Sequence, residues 1–153
     1  MKKILCTVNP EQINDEHKVS LQSALRLNYQ KHLSASEKLV FIWCELPPAQ
    51  GFTNYELPCV SLVLIECKDG LDQHVRESML FDCATNWSNI TGIAMERLMI
   101  SVFDETHFAS YMAANQGRLS LMGRIRFALH MAISLLRSKR SRGLLVFNAN
   151  VGA

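Results

Sequence analysis

Apolar residues recur every four positions from Leu71 through Val75, Met79 and Cys83 to Trp87, with Leu80 and Ala84 beside them. This period fits a helix with one buried stripe. The pattern predicts a helix from Leu71 to about Asn89. Ile90-Thr91-Gly92 ends it, the glycine being suited to a left-handed cap. An earlier helix opens at Asn14 or Asp15, where a capping side chain and acids in the first turn suit the macrodipole. It runs to about Leu33, with Val19, Leu21, Ala24, Leu25, Asn28 and Leu33 on or near one face, and Ser34-Ala35-Ser36 ends it. Between and around these helices lie β-rich runs: Lys3–Val8, Lys38–Leu46 (KLVFIWCEL), Cys59–Cys67 and Arg97–Phe103 (RLMISVF). Asn9-Pro10 and Pro47-Pro48 stop the first two, since proline removes a donor and restricts its neighbour. Ala49–Leu57 carries Gly51 and no periodicity, so it reads as a loop. The near-continuous VSLVLI of the third run argues for a strand covered on both faces. Lys68-Asp69-Gly70 has turn chemistry. The order is strand-helix-strand twice, about 55 residues apart, a structural repeat with little sequence identity.

Beyond Glu105 the pattern changes. Read as a helix from about Arg118, the segment places Leu121, Met122, Ile125, Ala128, Leu129, Ala132, Ile133 and Leu136 on one side. Arg126, His130, Ser134 and Arg137 fall opposite, and Phe127 and Met131 depart from the stripe. A basic run, Arg137 to Arg142, precedes Gly143, and Leu144–Val151 reads as a short closing strand. Two uses suit such a helix: burying its stripe against the rest of the chain, or lying in a membrane interface with basic residues near anionic headgroups. The return into an apolar strand favours the packed use.

Composition sharpens this. At 153 residues and 48% hydrophobic content the chain suits one domain with a real core. The formal charge of +2 hides an asymmetry. Residues 1–105 hold nine Lys/Arg against fourteen acids, whereas residues 106–153 hold seven Lys/Arg and no acid. The last third therefore suits something anionic, be it another part of the protein, a phosphate-rich ligand or a membrane surface, and a solvated basic helix face packed on an acidic body accounts for it equally well. Five cysteines (6, 44, 59, 67, 83), odd in number and without a CxxC pair, fit reduced, buried side chains in a cytoplasmic protein. The N-terminal apolar run is too short for a signal peptide, and Phe127–Leu136 is too short to span a bilayer. The five histidines show no HxxxH or HxH, so no metal is expected. No phosphate-loop, dinucleotide or GxSxG pattern is present, and neither a cofactor nor nucleic acid is expected.

The strand beginning at the N-terminus, the double β-α-β order, Leu57-Pro58-Cys59-Val60-Ser61-Leu62, and Asn89-Ile90-Thr91-Gly92 leading to Leu98-Met99-Ile100-Ser101-Val102 together resemble the tautomerase superfamily. That group contains macrophage migration inhibitory factor, 4-oxalocrotonate tautomerase and the malonate semialdehyde decarboxylases. The resemblance covers residues 1 to about 105; residues 106–153 form a C-terminal extension of the same domain. It implies an α+β fold, a four-stranded mixed sheet with two helices on one face, and a homotrimer. A trimer is also expected because two helices cover one sheet face and leave the other to neighbouring subunits.

In that family an N-terminal proline acts as base or acid, its secondary amine tuned toward neutrality in a partly apolar pocket. Here the position is Lys2, and methionine is normally kept before so large a residue, so the free amine would be displaced to Met1. A desolvated lysine can serve as base or Schiff-base nucleophile, which makes Lys2 and Lys3 the catalytic candidates. Two adjacent lysines at a terminus are otherwise exposed and inert. Lys68, Cys67 and Phe103 are the substrate-binding candidates for a small carboxylate such as a keto acid or enol. A thiolate at Cys67 would need Lys68 to lower its pKa. Arg76 is expected to face solvent, and Asp104-Glu105 to cap or solvate a loop. The resulting expectation is a tautomerase-like protein whose proline-dependent activity is lost. The alternative is a non-catalytic oligomeric binding protein that uses its basic helix, residues 118–142, for a partner or an anionic membrane surface.

Overall fold

A computed structural model describes residues 1–47, 60–116 and 120–150. The expected loop Ala49–Leu57, the Pro58-Cys59 opening of the third strand, the start of the last helix at Arg118, and Val151 lie outside the described residues. The elements are β1 (Lys2–Val8), α1 (Asp15–His32), β2 (Leu39–Glu45), β3 (Ser61–Cys67), α2 (Gln73–Thr91), a 3-10 turn (Met95–Arg97), β4 (Leu98–Asp104), α3 (Glu105–Gln116), α4 (Leu121–Arg142) and β5 (Leu145–Asn150).

Local chemistry sets the helix ends. Asn14 Oδ1 accepts from the His17 amide at 2.8 Å to cap α1. Asp72 Oδ1 accepts from the amides of His74 and Val75 to cap α2. Gly92, at φ +71°, closes α2, and Gly143, at φ +67°, closes α4, a left-handed geometry that glycine adopts without Cβ strain.

The five strands lie in the order β4-β3-β1-β2-β5. Parallel pairs β1/β2 and β3/β4 are the two β-α-β units, joined at the centre by antiparallel β1 and β3. β5 extends the sheet parallel to β2, Val40 opposite Leu145.

Alternation along the strands divides the apolar residues between two faces. On the first, Ile4, Cys6, Phe41, Trp43, Val63 and Ile65 pack against Leu21, Leu25 and Tyr29 of α1 and against Met79, Cys83 and Trp87 of α2. The Trp43 and Trp87 rings meet at 6.3 Å in this core. The four-residue stripe of α2 is thus buried as its spacing predicts.

The second face departs from expectation. It is partly covered by the chain's own α3 and α4, which weakens the premise that neighbouring subunits must cover it. The apolar pattern carries no signal for α3. α4 sits on Leu5, Val40, Ile42 and Phe147, but through Phe127, Met131 and Leu135, with the Phe127 and Phe147 rings edge-to-face at 5.5 Å. The eight-residue stripe expected to pack points outward instead: Leu121 is 76% exposed and even Ile125 is 47% exposed. Residues four apart line both sides of this helix, and the narrower line, being more aromatic, occupies the sheet.

Candidate functional site

The start of β1 and the ends of β3 and β4 meet at one margin of the sheet. The β1–β3 register, Ile4 opposite Ile65, carries Lys2 opposite Cys67, and Cys67 pairs in turn with Asp104. Lys2 is not the exposed terminal lysine expected. It is 4% exposed, on the helix-covered face, and its Nζ donates to Glu105 Oε2 at 2.5 Å. Burial alone would depress the Lys2 pKa, but the Glu105 hydrogen bond and charge, aided by Glu66 and Glu37, outweigh it and the pKa is raised. Glu105 is correspondingly held below the usual carboxylate range by Lys2. An ammonium held this way stays protonated at neutral pH and offers no free electron pair.

Beside this pair, Asp104 Oδ1 accepts from Arg76 Nη2 at 2.8 Å and from Cys67 Sγ at 3.6 Å. The Arg76 guanidinium also donates to the Val102 carbonyl, so Arg76 faces this margin, not solvent. Its hydrogen bond, ahead of every other influence, holds Asp104 below the usual range. Burial pushes the Cys67 thiol up to about 11, against the pull of Arg76. Cys67 is therefore a thiol at neutral pH, not the thiolate considered from its proximity to Lys68. Asp104 and Glu105 are ion-pair partners, not loop-solvating acids.

Next to these groups, between the end of α1 and the start of α2, lies a cavity of about 170 Å³ lined by Tyr29, His32, Leu33, Glu37, Lys68 and Val75 among others. Tyr29 donates to the Glu66 carbonyl at 3.2 Å, and burial, first of all, raises its phenol pKa. His32 Nε2 lies 2.7 Å from Asp82 Oδ2, which also accepts from Lys31 Nζ. Glu37 lies 3.6 Å from the Met1 amine. Lys68 is exposed and forms no ion pair among the described residues. The cavity thus joins the apolar walls of Leu33, Leu71 and Val75 to Lys68, a cation without an ion pair among the described residues, with Glu37 turned to the Met1 amine.

The remaining candidates lie elsewhere. Lys3 points to the opposite face, where its Nζ and its amide both donate to Glu66 Oε2 at 3.0 Å and its ammonium lies 5.7 Å from the Phe108 ring. Phe103 stacks on Tyr111 of α3 at 6.5 Å, away from the cavity lining. The structure brings together Lys2, Cys67 and Lys68 and separates them from Lys3 and Phe103. Among the described residues, no group of three or more His, Cys, Asp or Glu side chains could hold a metal ion. Sequence reading missed Tyr29 and Glu37, which carry no motif. Two acids ending a strand beside the first strand's lysine were the available signal for Asp104 and Glu105.

No protein-family model and no curated protein matches the chain. Solved structures do match. Native Ps01740 aligns at TM-score 0.63 and 16% identity, over 67% of this chain and 92% of that one. A fused 4-OT wild-type symmetric trimer aligns at 0.60 and 14%, over 67% and 84%. N1, a member of the cis-3-chloroacrylic acid dehalogenase family, aligns at 0.60 and 10%, over 67% and 73%. The chain has a tautomerase-like α+β fold.

Proposed function

We propose that the protein binds a small carboxylate, a keto acid or its enol, in the cavity between the end of α1 and the start of α2 and lacks proline-type proton transfer. The observation that carries this reading is the uncommitted Lys68 at an apolar cavity beside a sheet margin whose other cations are already paired. Lys2 then serves as a fixed positive charge and a tie to α3. Burial pulls it toward a neutral amine, but Glu105, with Glu66 and Glu37, outweighs that pull and keeps it an ammonium. Phenylpyruvate, titrated by calorimetry and assayed for enol–keto conversion, tests the proposal. Saturable binding without appreciable turnover, lost in Lys68→Glu, is the expected result. Turnover within about tenfold of a proline-bearing tautomerase, a difference of some 1.4 kcal/mol in barrier, would reject the absence of catalysis. A failure to bind would reject the ligand class.

The proposal includes self-association as a trimer. Two of the structural neighbours are described as symmetric trimers of fused 4-OT, which supports that reading. Light scattering that gives a monomer at micromolar concentration would contradict it. The cysteines 6, 44, 67 and 83 are all free thiols, which supports a reducing, cytoplasmic setting.

A further inference from the structure

Among the described residues, exposed apolar side chains gather on the outward side of α4. Leu121, Met122, Ile125, Leu129, Ile133 and Leu136 are each about half exposed or more, along a helix of 22 residues, about 33 Å long. This is a continuous apolar strip, not scattered single side chains. Its borders are cationic. Arg126 and Arg137 flank one edge, and Lys139 and Arg140 lie at its C-terminal end. Among the described residues, Arg126, Arg137, Lys139, Arg140 and Arg142 form no ion pair, as expected where residues 106–153 hold no acid. Against the same edge lies a surface basin of about 290 Å³ whose lining includes His130, Ser134, Arg137, Ser141, Arg142 and Asn148, donors without a carboxylate among them. Ile133 belongs to both the strip and the basin.

We propose that this side of α4 docks on an anionic lipid bilayer, the strip entering the headgroup–acyl boundary while Arg137 and Arg142 meet lipid phosphates. Apolar residues on one side with basic residues at the borders are what an interfacial helix requires. No helix among the described residues is long and apolar enough to cross a membrane, so the contact is peripheral. Charge disfavours the meeting of two α4 strips across a two-fold axis, and a head-to-tail contact between copies is separated from lipid by the dissociation test below. Pairing two α4 strips symmetrically would gather the unpaired cations of both copies with no acid between them. The helix is also anchored from behind: Phe127, Met131 and Leu135 pack on the sheet, and the Val146 amide donates to Ser138 Oγ at 2.9 Å. The strip is therefore presented on a fixed scaffold and needs no unfolding to be displayed.

The full chain, co-sedimented with phosphatidylcholine vesicles with and without phosphatidylserine, tests this. Binding is expected to the anionic vesicles alone, and to be lost in about 1 M salt, where the screening length falls to about 3 Å. Arg137→Gln and Arg142→Gln should each weaken it about fivefold. Leu129→Glu, at an exposed position, should abolish it while leaving the circular dichroism spectrum unchanged. No sedimentation with anionic vesicles at low salt, or equal sedimentation with neutral ones, would overturn the proposal. So would a wild-type oligomer that Leu129→Glu dissociates without vesicle binding, since the strip would then join copies of the chain.

Discussion

The two faces of one sheet are covered in opposite ways. On the first, α1 and α2 spend their apolar residues on the strands, and Trp43, Trp87, Met79 and Cys83 are fully buried. On the second, α4 meets the strands through Phe127, Met131 and Leu135, with His130 and Ser138 also against β5, and turns its broader apolar side away. A helix held by its lesser stripe contributes less to folding than one held by its greater, and keeps surface free for another use. The comparison teaches that apolar content is no measure of burial when a helix has two apolar sides.

The largest effect expected from breaking that comparison is at Trp87. Trp87→Ala should cost about 3–5 kcal/mol in chemical denaturation, because a fully buried aromatic leaves a cavity that the surrounding core cannot close. Phe127→Ala, on the second face, loses only a half-buried ring and should cost about 1–2 kcal/mol by the area removed from water. Equal losses at the two positions would erase the distinction between the faces.

A smaller effect concerns the tie between them, since Lys2 lies on the first face and Glu105 opens a helix on the second. Asp104 and Glu105 are held below their unfolded values by Arg76 and Lys2. The unfolded chain therefore binds more protons in the acid range. Stability should be fully present above about pH 5 and fall as pH drops through the lowered values. Lys2→Met removes the cause of the Glu105 shift, so stability plotted against pH should slope less steeply in this window. An unchanged slope would mean that the pair is not linked to folding. The smallest effect belongs to the free side of α4: Ile125→Ser should change stability by no more than about 0.5 kcal/mol. A larger loss would place Ile125 in a contact within the folded chain or its oligomer.

Much of the first face is legible in the sequence, because the four-residue stripe ending at Trp87 and the β-branched runs each report a local period. The second face is not. The sequence of α3, ETHFASYMAANQ, has no strong stripe, and its first turn is capped by Asp69, whose carboxylate accepts from the Thr106 amide at 3.1 Å and from its hydroxyl. That cap lies 37 residues away, beyond any local pattern, within a triplet that reads only as a turn. Periodicity in α4 marks the eight-residue stripe as the packed side, whereas Phe127, Met131 and Leu135 meet the sheet, a choice that depends on Phe147, which arrives only with β5. The candidate site divides likewise. Lys2, Cys67 and Lys68 follow from strand ends that the order of elements brings together. Arg76, Tyr29 and Glu37 take their roles from partners distant in sequence.

The pairing of β5 with β2 has a consequence for how the protein is made. β2, LVFIWCE, is apolar and β-prone, and its partner for the outer edge, starting with Leu145 opposite Val40, emerges from the ribosome about a hundred residues later. At roughly 5–20 residues per second, that edge stays open for some 5–20 s. For that interval the nascent chain carries an unprotected strand of the kind that recruits other chains. Sheet closure by β5 is therefore a late event of synthesis, and the vulnerable period ends only when α4 has been delivered and the strand behind it takes its place.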